Sequence, residues 1–349
     1  MSNRKINAAG RQQVSRRSFL ETSLKVMAMG VPGAALAATA TRAAGAPVVL
    51  RFGSGQPLGH ANIRAMELFR DELGKLSGGQ FKVEVYPAGQ LGGITEGMEA
   101  TKVGTQQMQV GTPATVAPIV RELDVMSLLF VASSEEKLFA AVDGEFGQYI
   151  GAAAERAGLK PLAWWAAGSR NFLNNKRPIN TPDDGKGLKI RVIGSPVWIK
   201  SMTALGANPV TMDYSEIYSA LQSNVVDGYE NLFTDVDKSG MYNVVKYLSL
   251  SSHLFDIFTV YINKKLFDGF SEDQKKIVMQ AMNTATVFQR KAQAADSQQS
   301  LQKLRGLMQV NEVSSANRRL FAEKVQPVYA EMEKSLGKDL IDRALKAMR

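Results

Sequence analysis

A long helical run near the C-terminus most constrains what this chain can fold into. The run begins at the stretch 271–274, where Ser271 followed three residues later by Gln274 predicts a capping box at a helix start. Periodic apolar residues continue to about Leu307, and at ~1.5 Å per residue such a helix is roughly 50 Å long. That length exceeds one small domain, so the pattern predicts a helix that lies across two lobes.

The segments before this helix alternate between strand and helix patterns. Such alternation favours an α/β fold, with a mostly parallel sheet and helices on its faces. The 349 residues of the chain are enough for about two domains. The predicted strands lie at 48–53, 81–86, 108–110, 158–165, 188–192, 208–212, 225–230 and 252–262, and the predicted helices at 61–76, 95–103, 135–143, 196–205 and 215–223.

The formal net charge of +9 first points to an anionic partner such as nucleic acid. The charge is uneven, however, because the first 45 residues hold seven Lys or Arg and one acid and so carry +6 of it. The remainder has no basic stretch interleaved with aromatic residues, which argues against nucleic-acid binding.

Cysteine is absent, and the only histidines are His60 and His253. The chain therefore has no disulfide, no thiolate metal ligand and no cysteine nucleophile. A histidine-rich zinc site is also disfavoured, so we expect neither a metal nor another cofactor.

The N-terminus has the features of an export signal. The stretch 15–20 reads S-R-R-S-F-L, a twin arginine followed by Phe-Leu, and an apolar run of about 16 residues follows it. Ala38-Thr39-Ala40 offers a cleavage site, and the run is shorter than the ~20 residues of a spanning helix. We therefore expect residues 1–45 to be a twin-arginine signal peptide that is removed, leaving a periplasmic protein not embedded in the membrane.

Arg191 raises a question of charge. It occupies the predicted strand 188–192, which runs towards a helix start at Ser195-Pro196. A guanidinium is costly to bury unless an anion meets it. The anion is either a carboxylate of the same chain, with Asp213, Glu216 and Asp227 as candidates, or a ligand.

Several stretches together resemble the solute-binding subunits of TRAP transporters, the DctP-type family of exported carboxylate binders. Each stretch alone is weakly diagnostic, but their order and spacing over residues 50–290 are specific. The stretches are Y-P-A-G-Q-L-G-G (86–93), G-S-R-N-F-L-N-N-K-R-P-I (168–179), G-L-K-I-R-V (187–192), S-P-V-W (195–198), A-L-G-A-N-P-V (204–210), S-E-I-Y-S-A-L-Q (215–222) and V-D-G-Y-E-N (226–231).

The resemblance implies a two-lobe periplasmic binding protein fold, with crossing hinge strands and a long helix that spans both lobes. On this basis we expect lobe I at 46–168 and lobe II at 169–252. Residues 253–349 would supply a hinge strand that returns to lobe I, the spanning helix and the C-terminal helices.

The resemblance also implies a set of ligand contacts. Arg191 matches the family arginine that pairs with a ligand carboxylate, and a guanidinium suits that role because it grips both oxygens. Arg170 matches a second cleft arginine, although a solvated loop arginine is the alternative. Asn231 matches the family's cleft asparagine, with a turn-forming role as its alternative. Glu230, which the strand alternation points the other way, is expected to be structural.

For four further candidates, ligand contact and a structural role are both open. Glu96 matches an acidic position of the family and would accept from hydroxyls or an amine, or else serve as helix N-terminal charge. The flanking Ile94-Thr95 departs from the commoner polar pattern. His60 either faces the cleft or caps the first helix, and Trp198 and Tyr214 are either cleft walls or core.

The resemblance implies an exported protein that binds a small organic acid and delivers it to the membrane subunits of a TRAP transporter. Glu96 favours a hydroxylated ligand such as a sugar acid, whereas two arginines would suit a C4-dicarboxylate. An enzyme exported by the twin-arginine route is a rival interpretation. It is disfavoured because the sequence has neither a dinucleotide fingerprint nor a nucleophile elbow. A sensor or an ABC-type receptor subunit is a further alternative.

Overall fold

The computed structural model describes residues 46–349, and the predicted signal peptide lies outside them. One mixed sheet of nine strands runs through this part of the chain. The strands are β1 (Val48–Gly53), β2 (Phe81–Tyr86), β3 (Met108–Gly111), β4 (Leu159–Asn174), β5 (Lys189–Val192), β6 (Asn208–Thr211), β7 (Gly228–Asn231), β8 (Tyr247–Asn263) and β9 (Gln309–Glu312).

Helices surround the sheet, and the longest of them has 36 residues. The helices are α1 (Ala61–Leu76), α2 (Ile94–Val103), α3 (Pro113–Val116), α4 (Glu135–Asp143), α5 (Glu145–Arg156), α6 (Pro196–Ala204), α7 (Ile217–Gln222), α8 (Phe233–Lys238), α9 (Lys264–Asp268), α10 (Glu272–Leu307), α11 (Ser315–Lys324), α12 (Gln326–Leu336) and α13 (Lys338–Met348). Short 3-10 helices occupy Arg121–Ser127, Pro182–Gly185, Tyr214–Glu216 and Met241–Asn243.

The order of the strands divides the sheet into two halves. The order is β2-β1-β3-β8-β4-β7-β5-β6, with β9 paired to β8. Strands β1, β2 and β3 pair in parallel on one side, as do β5, β6 and β7 on the other. The antiparallel pairings all include β4 or β8, because these two long strands cross from one half to the other in opposite directions. We call the β1–β3 half the first lobe and the β5–β7 half the second lobe.

Each lobe has its own apolar core. Phe52, Phe69 and Trp165 are fully buried in the first, while Tyr229 and Leu248 are fully buried in the second. A third core packs the 3-10 helix at 121–127 and α4–α6 against the C-terminal helices.

The crossing point of β4 and β8 is irregular. Arg170 is opposite Leu254, but Phe172 is opposite Ser249, so residues 250–253 of β8 have no partner on β4. Within this bulge Ser252 adopts a φ of +42°, which an L-residue rarely does. We call this region, residues 166–172 of β4 and 249–254 of β8, the hinge.

The prediction of a strand that ends at residue 165 was wrong. Strand β4 continues to Asn174, so Arg170 lies within a strand and not in a loop. Gly168 and the polar residues after it interrupt the apolar pattern, but their backbone pairs with β8 on one side and, from Asn171 onward, with β7 on the other. Long-range pairing therefore overrides the local signal.

The predicted spanning helix is confirmed as α10, whose Ser271 side chain accepts from Gln274 N. Its buried face is apolar over 278–285, polar over 289–300 and apolar again at Leu304. The polar part lies over the hinge, where the Gln289 amide donates to Ala166 O and accepts from Ala166 N, both at 2.8 Å. The helix therefore packs against the apolar core of each lobe at its two ends, and its middle part forms hydrogen bonds with the hinge.

Helix α5 and the 3-10 helix at 121–127 did not follow from the sequence pattern. Most of the buried residues of α5 are small, namely Gly147, Gly151, Ala153 and Ala154, beside Phe146 and Ile150. The C-terminal helices reach distant elements: α12 contacts α6, and α13 contacts α4 and α5. The exact boundaries of the two lobes along the chain stay a prediction.

Candidate ligand-binding cleft

Arg191 lies on β5, between β7 and β6 in the sheet. Its guanidinium donates from Nε and Nη2 to one acceptor, Met212 O, at 3.0 and 2.8 Å. Only 5% of the residue is exposed. None of the acids in residues 46–349 forms an ion pair with it, so the same-chain partners Asp213, Glu216 and Asp227 are not used.

Arg191 is a buried cation that forms no ion pair within residues 46–349. Burial lowers the pKa of Arg191 to about 10; the charges of Glu230 and Asp213 oppose that shift, and the charge of Arg170 adds to it. The side chain is still a cation at neutral pH, and a cation in this position is destabilised until an anion meets it.

A cavity of about 540 Å³ opens in front of Arg191. The first lobe contributes residues 93–96 and Thr115, while the second contributes Arg191, 193–194 and 211–216. We call this the arginine cavity. A second cavity of about 580 Å³ adjoins it and shares Gly93, Ile94 and 213–215. Because both lobes line each cavity, a bound molecule would contact both.

Arg170 is buried as deeply as Arg191, with 3% exposed, but it is fully compensated. It donates to both carboxylate oxygens of Glu230, and from Nη1 to Asp256 Oδ2 at 2.9 Å. Its guanidinium carbon also lies 5.2 Å from the ring centre of Trp198, a cation–π distance. Arg170 is thus the centre of an internal ion cluster and neither a solvated loop residue nor a wall of either cavity.

Within the ion cluster, Arg170 and Glu230 stabilise each other's charge, whereas burial raises the pKa of Asp256. Burial disfavours the charged form of Arg170, but Glu230 and Asp256 outweigh it, so the pKa of Arg170 is raised. Burial likewise opposes ionisation of Glu230, yet Arg170 and His253 hold its pKa below the usual value. Burial lowers the pKa of His253, whose ring stacks on Phe172 at 4.3 Å between centroids. The structural role expected for Glu230 fits this arrangement.

His60 is fully buried and lies at the start of α1. Its Nδ1 accepts from Asn62 N at 3.1 Å, so the ring caps the helix. The other ring nitrogen, Nε2, lies 3.2 Å from Asp235 Oδ1. His60 is on the wall of neither cavity, and its predicted ligand contact stays a prediction.

The other predicted residues divide between wall and core. Glu96 and Tyr214 line the arginine cavity, and burial raises the pKa of Tyr214. Asn231 is 3% exposed, and its Oδ1 accepts from Leu232 N. Trp198 is fully buried on α6. The structure therefore brings Arg191, Glu96 and Tyr214 to one cavity, whereas Asn231 and Trp198 lie off both walls.

Asp213 and Glu216 were predicted only as possible ion-pair partners of Arg191. In the structure both line the wall of the arginine cavity. Their side chains cap the turn at 214–216: Asp213 Oδ1 accepts from Ser215 N at 3.0 Å, and Glu216 Oε2 accepts from Asp213 N at 2.8 Å. The D-x-x-E spacing of this capping box was the signal available in the sequence.

The fold and cleft agree with comparisons to known proteins. The sequence profile of the family described as bacterial extracellular solute-binding protein, family 7 (DctP), matches residues 52–335. The chain belongs to this family, which confirms the resemblance seen in the motifs. The family consists of solute-binding transport proteins and not of enzymes.

Individual relatives are similar over most of their length. The C4-dicarboxylate-binding periplasmic protein DctP of Rhodobacter capsulatus is 31% identical over 298 residues, which cover 84% of this chain and 89% of that protein. The sugar acid binding protein DctPAm of Advenella mimigardefordensis, solved with galactonate, is 31% identical with a TM-score of 0.84, covering 86% of this chain and 98% of its own.

A further solved structure is a TRAP periplasmic solute-binding protein of Roseobacter denitrificans with bound β-D-glucuronate. It is 30% identical with a TM-score of 0.81 and covers 85% of this chain and 99% of its own. These similarities confirm the predicted two-lobe fold. Within residues 46–349, no helix combines the length and apolar character that crossing a bilayer requires.

Proposed function

We propose that this protein captures a small organic acid outside the cytoplasm and passes it to the membrane subunits of a TRAP transporter. The observation that carries the proposal is Arg191, a buried cation whose guanidinium meets a backbone carbonyl and, within residues 46–349, no carboxylate. A ligand carboxylate supplies the missing charge. Two parallel hydrogen bonds from a guanidinium also fix the orientation of a bound carboxylate.

A hydroxylated monocarboxylate, such as a sugar acid, is the favoured ligand. Relatives with about 30% identity were solved with galactonate and β-D-glucuronate, but others of similar identity bind C4-dicarboxylates, so the choice depends on the arginines. The C4-dicarboxylate alternative relied on two available arginines, but Arg170 is already paired with Glu230 and Asp256. One uncompensated arginine fits one ligand carboxylate.

A thermal-shift screen of the mature protein against organic acids tests this assignment. A ligand at 100 times its Kd stabilises the folded state by about 2.7 kcal/mol, which is easily seen as a rise in Tm. Sugar acids should give the largest rises, and calorimetry should confirm one site per chain. A library of sugar acids and C4-dicarboxylates that leaves the Tm unchanged would contradict the proposal.

Ligand capture should also close the cleft. Both lobes line the arginine cavity, so a ligand makes its full set of contacts only when the lobes are together. Small-angle scattering should give a smaller radius of gyration at saturating ligand than without it. An unchanged profile would argue for a rigid pocket.

Export by the twin-arginine route is the remaining part of the proposal, and it depends on the S-R-R-S-F-L stretch. Replacing Arg16 and Arg17 by lysine should leave the protein in the cytoplasm. Arg11→Lys, outside the twin pair, is the matched control and should be exported normally. Periplasmic accumulation of the double variant would exclude this route.

A further inference from the structure

Three carboxylates stand on the wall of the arginine cavity beside Arg191. Glu96 comes from the first lobe, and Asp213 and Glu216 come from the second. None of them forms an ion pair with a basic residue of 46–349. The wall therefore presents three acids and one arginine.

Each of these acids is anchored by one oxygen. Glu96 Oε2 accepts from Gly93 N at 3.1 Å, and Glu216 Oε2 accepts from Asp213 N at 2.8 Å. Asp213 Oδ1 accepts from the backbone and the hydroxyl of Ser215. No donor within residues 46–349 hydrogen-bonds the second oxygen of any of the three. Anchored carboxylates of this kind are preorganised acceptors, and they recognise hydroxyl or ammonium groups while repelling another carboxylate.

Arg191 provides an independent indication that a ligand occupies the cavity. Only 5% of the residue is exposed, and no carboxylate of residues 46–349 forms an ion pair with it. Its Nη1 has no acceptor within the part of the chain that the structure describes. One end of the cavity is thus built for a single anion, and the surrounding acids would oppose a second.

Asp213 lies on the cavity wall where the two lobes approach each other. Its Oδ2 lies 2.9 Å from the position that a Cβ on Gly93 would take. Gly93 is the N-cap residue of α2 in the first lobe, whereas Asp213 follows β6 in the second. The carboxylate therefore stands at the point where the two walls come together.

We infer that Asp213, with Glu96 and Glu216, makes this protein selective for monocarboxylates whose far end carries hydrogen-bond donors, and that it excludes dicarboxylates. This inference rests on the proposed function and adds the residue that sets the ligand class. Discrimination of this kind comes from a repulsive contact to the wrong ligand as much as from attraction to the right one.

Matched ligand pairs give the sharpest test. Galactonate and galactarate share a carbon skeleton and differ at one end, where a hydroxymethyl group is replaced by a carboxylate. The pair 4-hydroxybutanoate and succinate differs in the same way with four carbons. Calorimetry should show the monocarboxylate of a pair binding at least about tenfold more tightly than its dicarboxylate.

The variant Asp213→Asn tests whether the charge of Asp213 causes the preference for monocarboxylates. It keeps the side-chain size and the oxygen that accepts from Ser215, but it removes the charge. The dicarboxylate should gain about tenfold in affinity, while the monocarboxylate, which loses an acceptor for its hydroxyl group, should bind no more tightly than it binds the wild type. Glu96→Gln should act in the same direction. Asp183→Asn, an exposed acid on neither cavity wall, is the control and should leave the ratio unchanged.

The outcomes separate this inference from the proposed function. Equal or tighter binding of the dicarboxylates, or a ratio unaffected by both Asp213→Asn and Glu96→Gln, would overturn the inference while leaving carboxylate capture intact. If none of the four acids binds, the proposed ligand class fails, and the inference fails with it.

Discussion

Two arginines of this protein are buried to nearly the same degree but have opposite surroundings. Arg170, at the hinge, forms ion pairs with Glu230 and Asp256. Among the described residues, Arg191 in the second lobe hydrogen-bonds only the carbonyl of Met212. The pKa of Arg170 is raised because its two carboxylates outweigh burial, and the pKa of Arg191 is lowered to about 10 chiefly by burial. Burial alone therefore does not decide the role of a charged residue; the neighbouring charges decide it.

From this difference we predict a structural role for Arg170, and ligand binding by Arg191 remains the proposal. A compensated ion cluster is costly to break but has no charge left for a ligand. An uncompensated cation contributes little to the ligand-free fold and gains most when an anion arrives. Arg191 is 5% exposed in this structure, so water reaches little of its side chain in this conformation.

The largest expected effect is on the stability of an Arg170→Ala variant. Removing Arg170 leaves Glu230 buried without its partner, which should lower the free energy of unfolding by about 3–5 kcal/mol. Urea denaturation without ligand measures this loss. Arg170→Lys should lose less, because it retains the charge but not the two-pronged contact. If the alanine variant were as stable as the wild type, the ion cluster would not be structural.

Arg191→Ala should act on affinity instead. Loss of the carboxylate's partner should weaken binding by about 2–5 kcal/mol, as measured by calorimetry with a ligand from the screen. Its loss of ligand-free stability should be less than half that of Arg170→Ala, because relief of a buried, uncompensated charge offsets the lost packing. Arg191→Lys should still bind clearly more weakly than the wild type. A large stability loss with affinity intact would reverse the two assignments.

Asp124 is a further buried acid, and within residues 46–349 its carboxylate accepts a hydrogen bond only from Ser195. Ser195 Oγ donates to Asp124 Oδ1 at 2.6 Å, and burial raises the pKa of Asp124 from 3.8 to about 6. Because the folded pKa is the higher one, ionisation destabilises the fold, and that cost grows as the pH rises from 3.8 to about 6. Asp124→Asn should therefore be more stable than the wild type at pH 7.5, by about 1–3 kcal/mol.

The pH dependence distinguishes this cause from a change in packing. The advantage of Asp124→Asn in the free energy of unfolding should shrink steadily as the pH is lowered from 6.5 to 4.5. An advantage that stays constant over this range would show that ionisation of Asp124 is not its source.

The smallest expected effect is at the meeting point of the lobes. A Cβ on Gly93 would lie 2.9 Å from Asp213 Oδ2, so Gly93→Ala should hinder closure. The Asp213 side chain can shift, so the affinity should fall by less than about 1 kcal/mol. At Gly74 a Cβ meets nothing within 4 Å, and Gly74→Ala should bind normally. Equal affinities for both variants would mean that the contact between 93 and 213 does not limit closure.

Part of the secondary structure could be predicted from short stretches of the sequence. The helix that begins with the Ser271–Gln274 capping box ends at Leu307 as predicted, and strands β1 and β2 occupy the predicted residues. These features depend on alternation, helical period and caps, which act over a few residues. The family followed from the order of the motifs, and it was confirmed.

Local signals were less reliable where a side chain has a distant partner. Ser195 was predicted to cap α6, and it does occupy the N-cap position, but its hydroxyl donates to Asp124, 71 residues away, and makes no cap hydrogen bond. The backbone position was correct because it depends on Pro196, whereas the side-chain partner depends on the packing of another element.

What only the tertiary structure decided is how the buried charges are matched. Glu230 and Asp256 lie 60 and 86 residues from Arg170 in the chain, and the strands β7 and β8 bring them to it. The sequence alone established that both arginines were candidates for a ligand carboxylate, since motif and charge are local properties. Which of them had its charge already neutralised depended on the packing of distant strands, because the electrostatic energy of a side chain is set by the charges that surround it in space.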